Sequence, residues 1–249
     1  MKRILLGTVS ALALTYGAGA ADMPVKAPPP PIVVPAWTGF YFGIQGGIAA
    51  HRADFQDLNN FATGGFGSAP TYSASKTGGI FGVNAGYNLQ TGPVVFGIEG
   101  DWNALGVKAS STTSATPCVP ACVVNASLDI TWLATLRGRV GLALDATLFY
   151  VTGGVAFAQL NNTATVFGPG GVIVRGAFNQ GSTRGGWTIG GGVEHMFTRN
   201  WTARAEVRYA GFGHSTVGCT GACNGGIGTY RGQFSNSLLM GLVGVDFKF

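Results

Sequence analysis

Residues 201–209 read WTARAEVRY, so Arg204, Glu206 and Arg208 recur at every second position with Ala203, Ala205, Val207 and Tyr209 among the residues between and beside them. The 128–140 segment repeats the pattern: Asp129, Thr131, Thr135, Arg137 and Arg139 share one parity, and Leu128, Ile130, Trp132, Ala134, Leu136 and Val140 share the other. Glu99 and Asp101 in FGIEGDW and Glu194 in GGGVEHMF carry the same signature. Side chains on an extended chain alternate between two faces, so each segment has a charged face and an apolar face. Carboxylates and guanidiniums mixed on one face neutralise one another. The chemistry they offer is a closed lattice of ion pairs rather than one reactive group.

Other reactive side chains are sparse. The histidines, His51, His195 and His214, are not set beside a serine and an acid in the manner of a catalytic triad. No G-x-S-x-G, H-E-x-x-H or phosphate-loop motif occurs, and the glycine clusters do not form one. No catalytic, cofactor or metal site is predicted, and the chain is expected not to be an enzyme.

The elements that must position the charges are strands. Eight stretches alternate with period two: 37–51, 78–90, 94–107, 127–142, 147–160, 184–197, 201–214 and 234–249. The links between them alternate in length. Those after the second, fourth and sixth stretches are short, TGP, ALDA and TRN, whereas 52–77, 108–126, 161–183 and 215–233 are long and rich in Gly, Ser, Thr and Asn. Short turns on one side and long loops on the other are the habit of a membrane barrel, with the turns periplasmic and the loops outside. Apolar rows facing out and charged rows facing in are inverted for a soluble protein and expected when lipid is the outer solvent. The predicted fold is all-β, an eight-stranded antiparallel transmembrane up-and-down β-barrel over residues 37–249.

Outward aromatics gather at two levels on that tracing. Phe40, Tyr87, Phe96, Phe149, Phe197, Trp201, Phe247 and Phe249 lie near the short turns; Trp102, Trp132, Phe157, Trp187 and Tyr209 lie near the long loops. Trp187 to Phe197 is about 33 Å of strand at ~3.3 Å per residue, or about 25 Å of height at a tilt near 40°. The apolar run carried to Phe249 is therefore expected to be a closing strand.

Composition agrees with this reading. The 249 residues are 46% hydrophobic and only 10% charged, too little charge to coat a soluble surface. Beyond the N-terminus no apolar run is long enough for a spanning helix. Residues 1–20 read as a signal peptide: Lys2 and Arg3, an apolar core, then Ala18-Gly19-Ala20. Residues 21–36 hold six of the eleven prolines and read as an extended periplasmic linker, with a cell-wall partner as the alternative to a plain spacer. The formal charge of +5 is too mild to argue for nucleic acid. An exported chain folds where disulfides form. Local bridges Cys118–Cys122 and Cys219–Cys223 are expected, one of three connectivities that four cysteines allow.

Eight strands enclose an interior that side chains can fill. Glu99, Asp101, Asp129, Arg137, Arg139, Glu194, Arg204, Glu206 and Arg208 are therefore predicted to plug it. Glu194 and Arg204 are symmetric about Arg199 in the TRN link and are predicted to pair across the hairpin. The inward Gly190 and Gly192 are expected to relieve crowding beside the large charged groups.

In its signal peptide, Pro-rich mature start, WTGFYFGIQGG, FGIEGDWN, LRGRVG and terminal VGVDFKF, the chain resembles the small outer-membrane immunogenic or opacity-type proteins of Gram-negative bacteria. The resemblance implies location in the cell outer membrane and contact with its lipid. It also implies a terminal strand, with Phe247 and Phe249, that is read by the barrel-insertion machinery during assembly. The function it implies is envelope integrity and surface interaction, as a surface antigen. The alternatives are a narrow porin-like diffusion channel for small solutes, or loop-borne binding of haem or a host ligand, with His51 and His214 at the outer mouth as candidate haem ligands.

Overall fold

The computed structural model describes residues 36–58, 71–115, 122–167, 173–220 and 229–249. They form eight strands: β1 (Gly39–Asp57), β2 (Thr71–Thr91), β3 (Val94–Ala115), β4 (Cys122–Leu144), β5 (Thr147–Phe167), β6 (Ile173–Met196), β7 (Trp201–Thr220) and β8 (Thr229–Lys248). Every strand is antiparallel to the next, and β8 returns to β1 to close the barrel. The predicted fold class is the observed one. The segments read as signal peptide and linker, residues 1–20 and 21–36, lie outside the described residues except for Ala36.

The strands run further than the alternation that announced them. β1 continues past His51 to Asp57, and β2 begins at Thr71 rather than Gly78. Above the lipid both faces meet water, so the period-two signal disappears while the backbone ladder and the β-propensity of Thr persist. At the other end the turns are tight. Gly92 (φ 60°) and Asp145 (φ 52°) occupy left-handed positions in the β2–β3 and β4–β5 hairpins, where glycine and aspartate tolerate that conformation better than most residues.

The lipid face is apolar along each strand. Phe40, Ile44, Ile48, Phe96, Ile98, Val151, Val207 and Val243 are all exposed. The aromatics near the short turns contact one another: Phe40 and Tyr87 at 4.7 Å, Trp201 and Phe247 at 5.1 Å, and Phe247 and Phe249 at 5.3 Å between ring centroids.

Four register shifts interrupt the ladder among the described residues: one between Thr165 and Phe167, where β6 gains two residues and parity is kept, and three that reverse parity, between Ala104 and Val107 on β3, Ile130 and Leu133 on β4, and Gly211 and His214 on β7. A bulge inserts one residue and flips the faces beyond it. Ile130 was expected on the lipid row and is instead buried at 1% exposure, as is Leu133 at 0%. Asp129, expected among the lumen charges, is consequently moved off the inward row. It is half-buried and joins none of the lumen bonds among the described residues.

Trp37 departs from its predicted place as well. β1 begins two residues later, at Gly39, and Trp37 turns under the barrel to 1% exposure against Val95, Leu148, Tyr150 and Met196. Its backbone N–H donates to Gln90 Oε1 (2.8 Å), and Gln90 N donates to Thr38 Oγ1 (2.9 Å). These two bonds hold the entry to β1 against the β2–β3 turn.

Closure depends on how near the backbones of β1 and β8 come. A Cβ on Gly47 would lie 2.0 Å from the Gly241 carbonyl oxygen and 3.0 Å from Leu242 Cα. Backbone cannot yield as a side-chain tip can. Gly47→Ala is expected to force the closing seam apart and cost about 1–3 kcal/mol, read as a lowered urea midpoint for protein refolded into lipid vesicles. A midpoint equal to that of the unmodified protein would contradict this account of the seam.

Candidate functional site

The lumen gathers most of the chain's chemistry. β3 contributes Glu99, Asp101 and Asn103, β4 contributes Thr135, Arg137 and Arg139, and β6 contributes Glu194. β7 contributes Thr202, Arg204, Glu206 and Arg208, and β8 contributes Asp246; all are buried. Arg137 is the centre. Its Nη2 donates to Glu99 Oε1 and to Asp101 Oδ2 (3.1 Å), its Nη1 to Glu206 Oε1 (2.5 Å) and Thr152 Oγ1 (3.0 Å), and its Nε to Thr135 Oγ1 (3.1 Å). One guanidinium thus bridges three carboxylates from two different strands. Arg208 closes a second link, with Nη1 to both oxygens of Asp101 (3.1 Å) and Nε to Glu206 Oε1 (2.8 Å).

The Glu194–Arg204 expectation is half met. The two residues are register partners, as their symmetry about Arg199 implied, yet they do not bond to each other. Arg204 reaches across the lumen to Glu99 Oε2 (2.7 Å) and to Gln45 Oε1 (2.6 Å), and its Nε lies 3.6 Å from Oδ2 of Asp246 on the neighbouring β8. Glu194 accepts from Arg139 Nη2 (2.6 Å) and from Thr202 Oγ1 (2.8 Å). Across a barrel of this bore a long side chain meets the opposite wall as readily as its neighbour, so register alone does not choose its partner.

Several network members carried no charge signal in the sequence. The Tyr41 hydroxyl donates to Glu99 Oε2 (2.8 Å) and accepts from Arg139 Nη1 (3.0 Å). Tyr150 donates to Glu206 Oε2 (3.0 Å), and its ring lies 4.2 Å from the Arg139 guanidinium carbon, a cation–π contact. Asn84 donates to Asp246 Oδ1 (2.6 Å), and Gln45 to Asn103 Oδ1 (2.7 Å). Parity within β1 and β8 would have found Tyr41, Gln45 and Asp246. The inward glycines make room: a Cβ on Gly192 would stand 2.8 Å from the Tyr150 hydroxyl, and one on Gly190 would stand 3.2 Å from Glu206 Oε1.

Apolar side chains seal the charges at both ends. Toward the loops, Ile80, Ile130, Leu133, Leu160, Phe212, Leu238, Met240 and Leu242 form one cluster; toward the turns, Trp37, Val95, Leu148 and Met196 form another around Tyr150. The expected plug of charges therefore fills only a central layer. The bulges and the doubly apolar face of β8 supply the outer seal. In this water-poor interior each charge needs its partners, because an unpaired buried ion costs several kcal/mol.

The remaining candidates fall elsewhere. His51 is 1% exposed inside the wall with Nε2 3.2 Å from Asn236 Oδ1, whereas His214 follows the β7 bulge and is exposed. The bulge leaves His214 in register with Ser235, which alternates with the buried Asn236, so the two histidines face opposite sides and do not form a pair of haem ligands. His195 is exposed near the short turns, with Nδ1 3.0 Å from Thr147 Oγ1. Cys118 and Cys223 lie outside the described residues. Of Cys122 and Cys219 only the backbone pairing is described, with Ala115 and Tyr230 respectively. Phe249 is exposed at the end of β8, and its backbone N–H donates to the Phe40 carbonyl (3.0 Å).

Comparison with known proteins places this geometry. The family described as outer membrane protein beta-barrel domain matches residues 9–236. A 31 kDa outer-membrane immunogenic protein of Brucella melitensis is 30% identical over 235 residues, covering 86% of this chain and 88% of that protein. A 25 kDa outer-membrane immunogenic protein of Brucella abortus is 25% identical over 256 residues, covering 100% and 99%. Among solved structures, the outer-membrane protease OmpT of Escherichia coli aligns over 85% of this chain and 97% of its own, with a TM-score of 0.48 and 8% identity.

Proposed function

Because the chain belongs to the outer membrane protein beta-barrel domain family and resides in the outer membrane, we propose that it is a non-catalytic, non-conducting barrel. On this reading it contributes to envelope integrity and presents its outer loops as a surface antigen. The observation that carries the reading is the filled lumen: ion-paired charges with side-chain exposures of 0–3% lie between two apolar seals. A hydrated solute would have to break several charge pairs and part both seals, at a cost of many kcal/mol. Outer-membrane lipid is the constant partner. The barrel-insertion machinery is the partner during assembly, with Phe247 of β8 and Phe249 just beyond it as the recognised end. Cell-wall contacts through residues 21–36 and host contacts through the loops complete the proposed set.

Single-channel recording of the refolded chain in a planar bilayer tests the reading. The expected trace is flat, without discrete openings. Steady openings would transfer the proposal to a narrow diffusion channel for small solutes.

A further inference from the structure

The outward aromatics near the long loops, Phe81, Trp102, Phe157, Trp187 and Tyr209, are exposed on β2, β3, β5, β6 and β7. On β8 and β1 the corresponding outward residues are Leu239 and Ile48, and the next polar ones are Ser237 and Arg52. Arg52 has Ser237 of β8 on one side and Ser75 of β2 on the other as register partners, all three on the outer face. Two residues higher on the same face, Asp54 lies between Ser235 and Ser73, and His214 of β7 extends the row beyond Ser235. Above the gap that β8 and β1 leave in the aromatic belt, β8 and β2 therefore present serine hydroxyls, β1 a guanidinium and a carboxylate, and β7 an imidazole.

Height places this patch among lipid headgroups. Arg52 is twelve steps along β1 from Phe40, with no register break between them. At ~3.3 Å per residue that is about 40 Å of strand, or about 30 Å of height at a tilt near 40°, a few Å above an apolar band of about 25 Å. The Arg52 side chain is 65% exposed. Its Nε meets both oxygens of Asp54 at 3.3 Å, and its Nη nitrogens take no further bond among the described residues. The Ser73 hydroxyl, which donates to Asp54 Oδ1 (2.6 Å), holds that carboxyl below its usual range together with Arg52. Asp54 is thus a fixed anion that orients the guanidinium and competes with any ligand anion.

We infer that the β7–β8–β1–β2 face at this level is a docking surface for the phosphorylated sugar headgroup of an outer-leaflet glycolipid, with Arg52 meeting a phosphate and Ser75 and Ser237 meeting sugar hydroxyls. The choice of occupant follows from charge and height. A guanidinium with free donors favours a phosphate oxygen, flanking hydroxyls suit a polyhydroxylated group, and the apolar Ile48 and Leu239 below lie where acyl chains run. This inference extends the reading of the barrel as a membrane-stabilising element by naming the lipid it holds, and it is independent of whether the lumen conducts.

Native mass spectrometry of the detergent-solubilised chain, titrated with bisphosphorylated hexa-acyl lipid A, tests it. Retained lipid is expected to fall about tenfold or more in Arg52→Gln and to rise in Asp54→Asn. Circular dichroism of both variants is expected to show the barrel kept, as their surface positions imply. Unchanged retention in Arg52→Gln, equal retention of dephosphorylated lipid A, or full displacement by inorganic phosphate would each overturn the proposal. The last result would mark a free-anion site rather than a lipid one. A flat conductance trace alongside failed lipid binding would remove this inference and leave the closed barrel standing.

Discussion

Replacing Arg137 with alanine is expected to destabilise the folded barrel by about 3–5 kcal/mol, the range for breaking a buried ion pair by deleting one partner. The side chain is fully buried and bonds to Glu99, Asp101 and Glu206. Its removal leaves three carboxylates facing a lumen closed at both ends. Arg208 still serves Asp101 and Glu206, and Arg204 still serves Glu99, so the network is weakened at its centre rather than erased. The measurement is the urea midpoint of protein refolded into vesicles. Adding Glu206→Gln to Arg137→Ala should recover part of the loss, because it removes one of the stranded charges; a side chain that merely filled space would show no such recovery. A midpoint for Arg137→Ala no lower than that of the exposed Arg52→Gln would show that the lattice does not hold the barrel together.

The second large effect lies one residue away from the lattice, on the other side of the wall. Val207 is 61% exposed and its neighbour Arg208 is 0% exposed. Val207 is six steps above Trp201, about 15 Å of height at the same rise and tilt, and so close to the middle of the band. Val207→Arg is expected to cost about 2–4 kcal/mol, the penalty for a cation on the lipid face near the midplane. The same substitution at Thr183, an exposed position on β6 nearer the loops, should cost about 0–1 kcal/mol. Unfolding titrations of the two variants in one lipid test the depth dependence. Equal losses would mean that lipid is not the solvent of this face.

The expectations that held are those set by local covalent geometry and solvent. Strand number, strand order and the outward apolar row below the bulges followed from alternation and link length, because a side chain's face is decided by parity and lipid rewards only one face. The register of Glu194 with Arg204 and Gly190 beside the charged Glu206 belong to the same class.

What the sequence could not reveal depends on the third dimension. Whether Arg204 bonds to Glu194 beside it or to Glu99 across the lumen is decided by the bore of the closed barrel, to which all eight strands contribute. The bulges on β3 and β4 reassigned Ile130 and Asp129 because one inserted residue reverses parity, and WLATL looks the same with or without it. The outer seal escaped notice where both faces are apolar, as in SLLMGL of β8, since alternation is silent there. Trp37 read as strand and became the floor of the lumen, because an apolar ring fits that opening once β1 begins at Gly39. The chain by itself determined that charges face in and lipid lies outside, since that is a matter of period and solvent. Only the closed structure decided which charges meet and what seals them, since those depend on distances across the barrel between residues far apart in sequence.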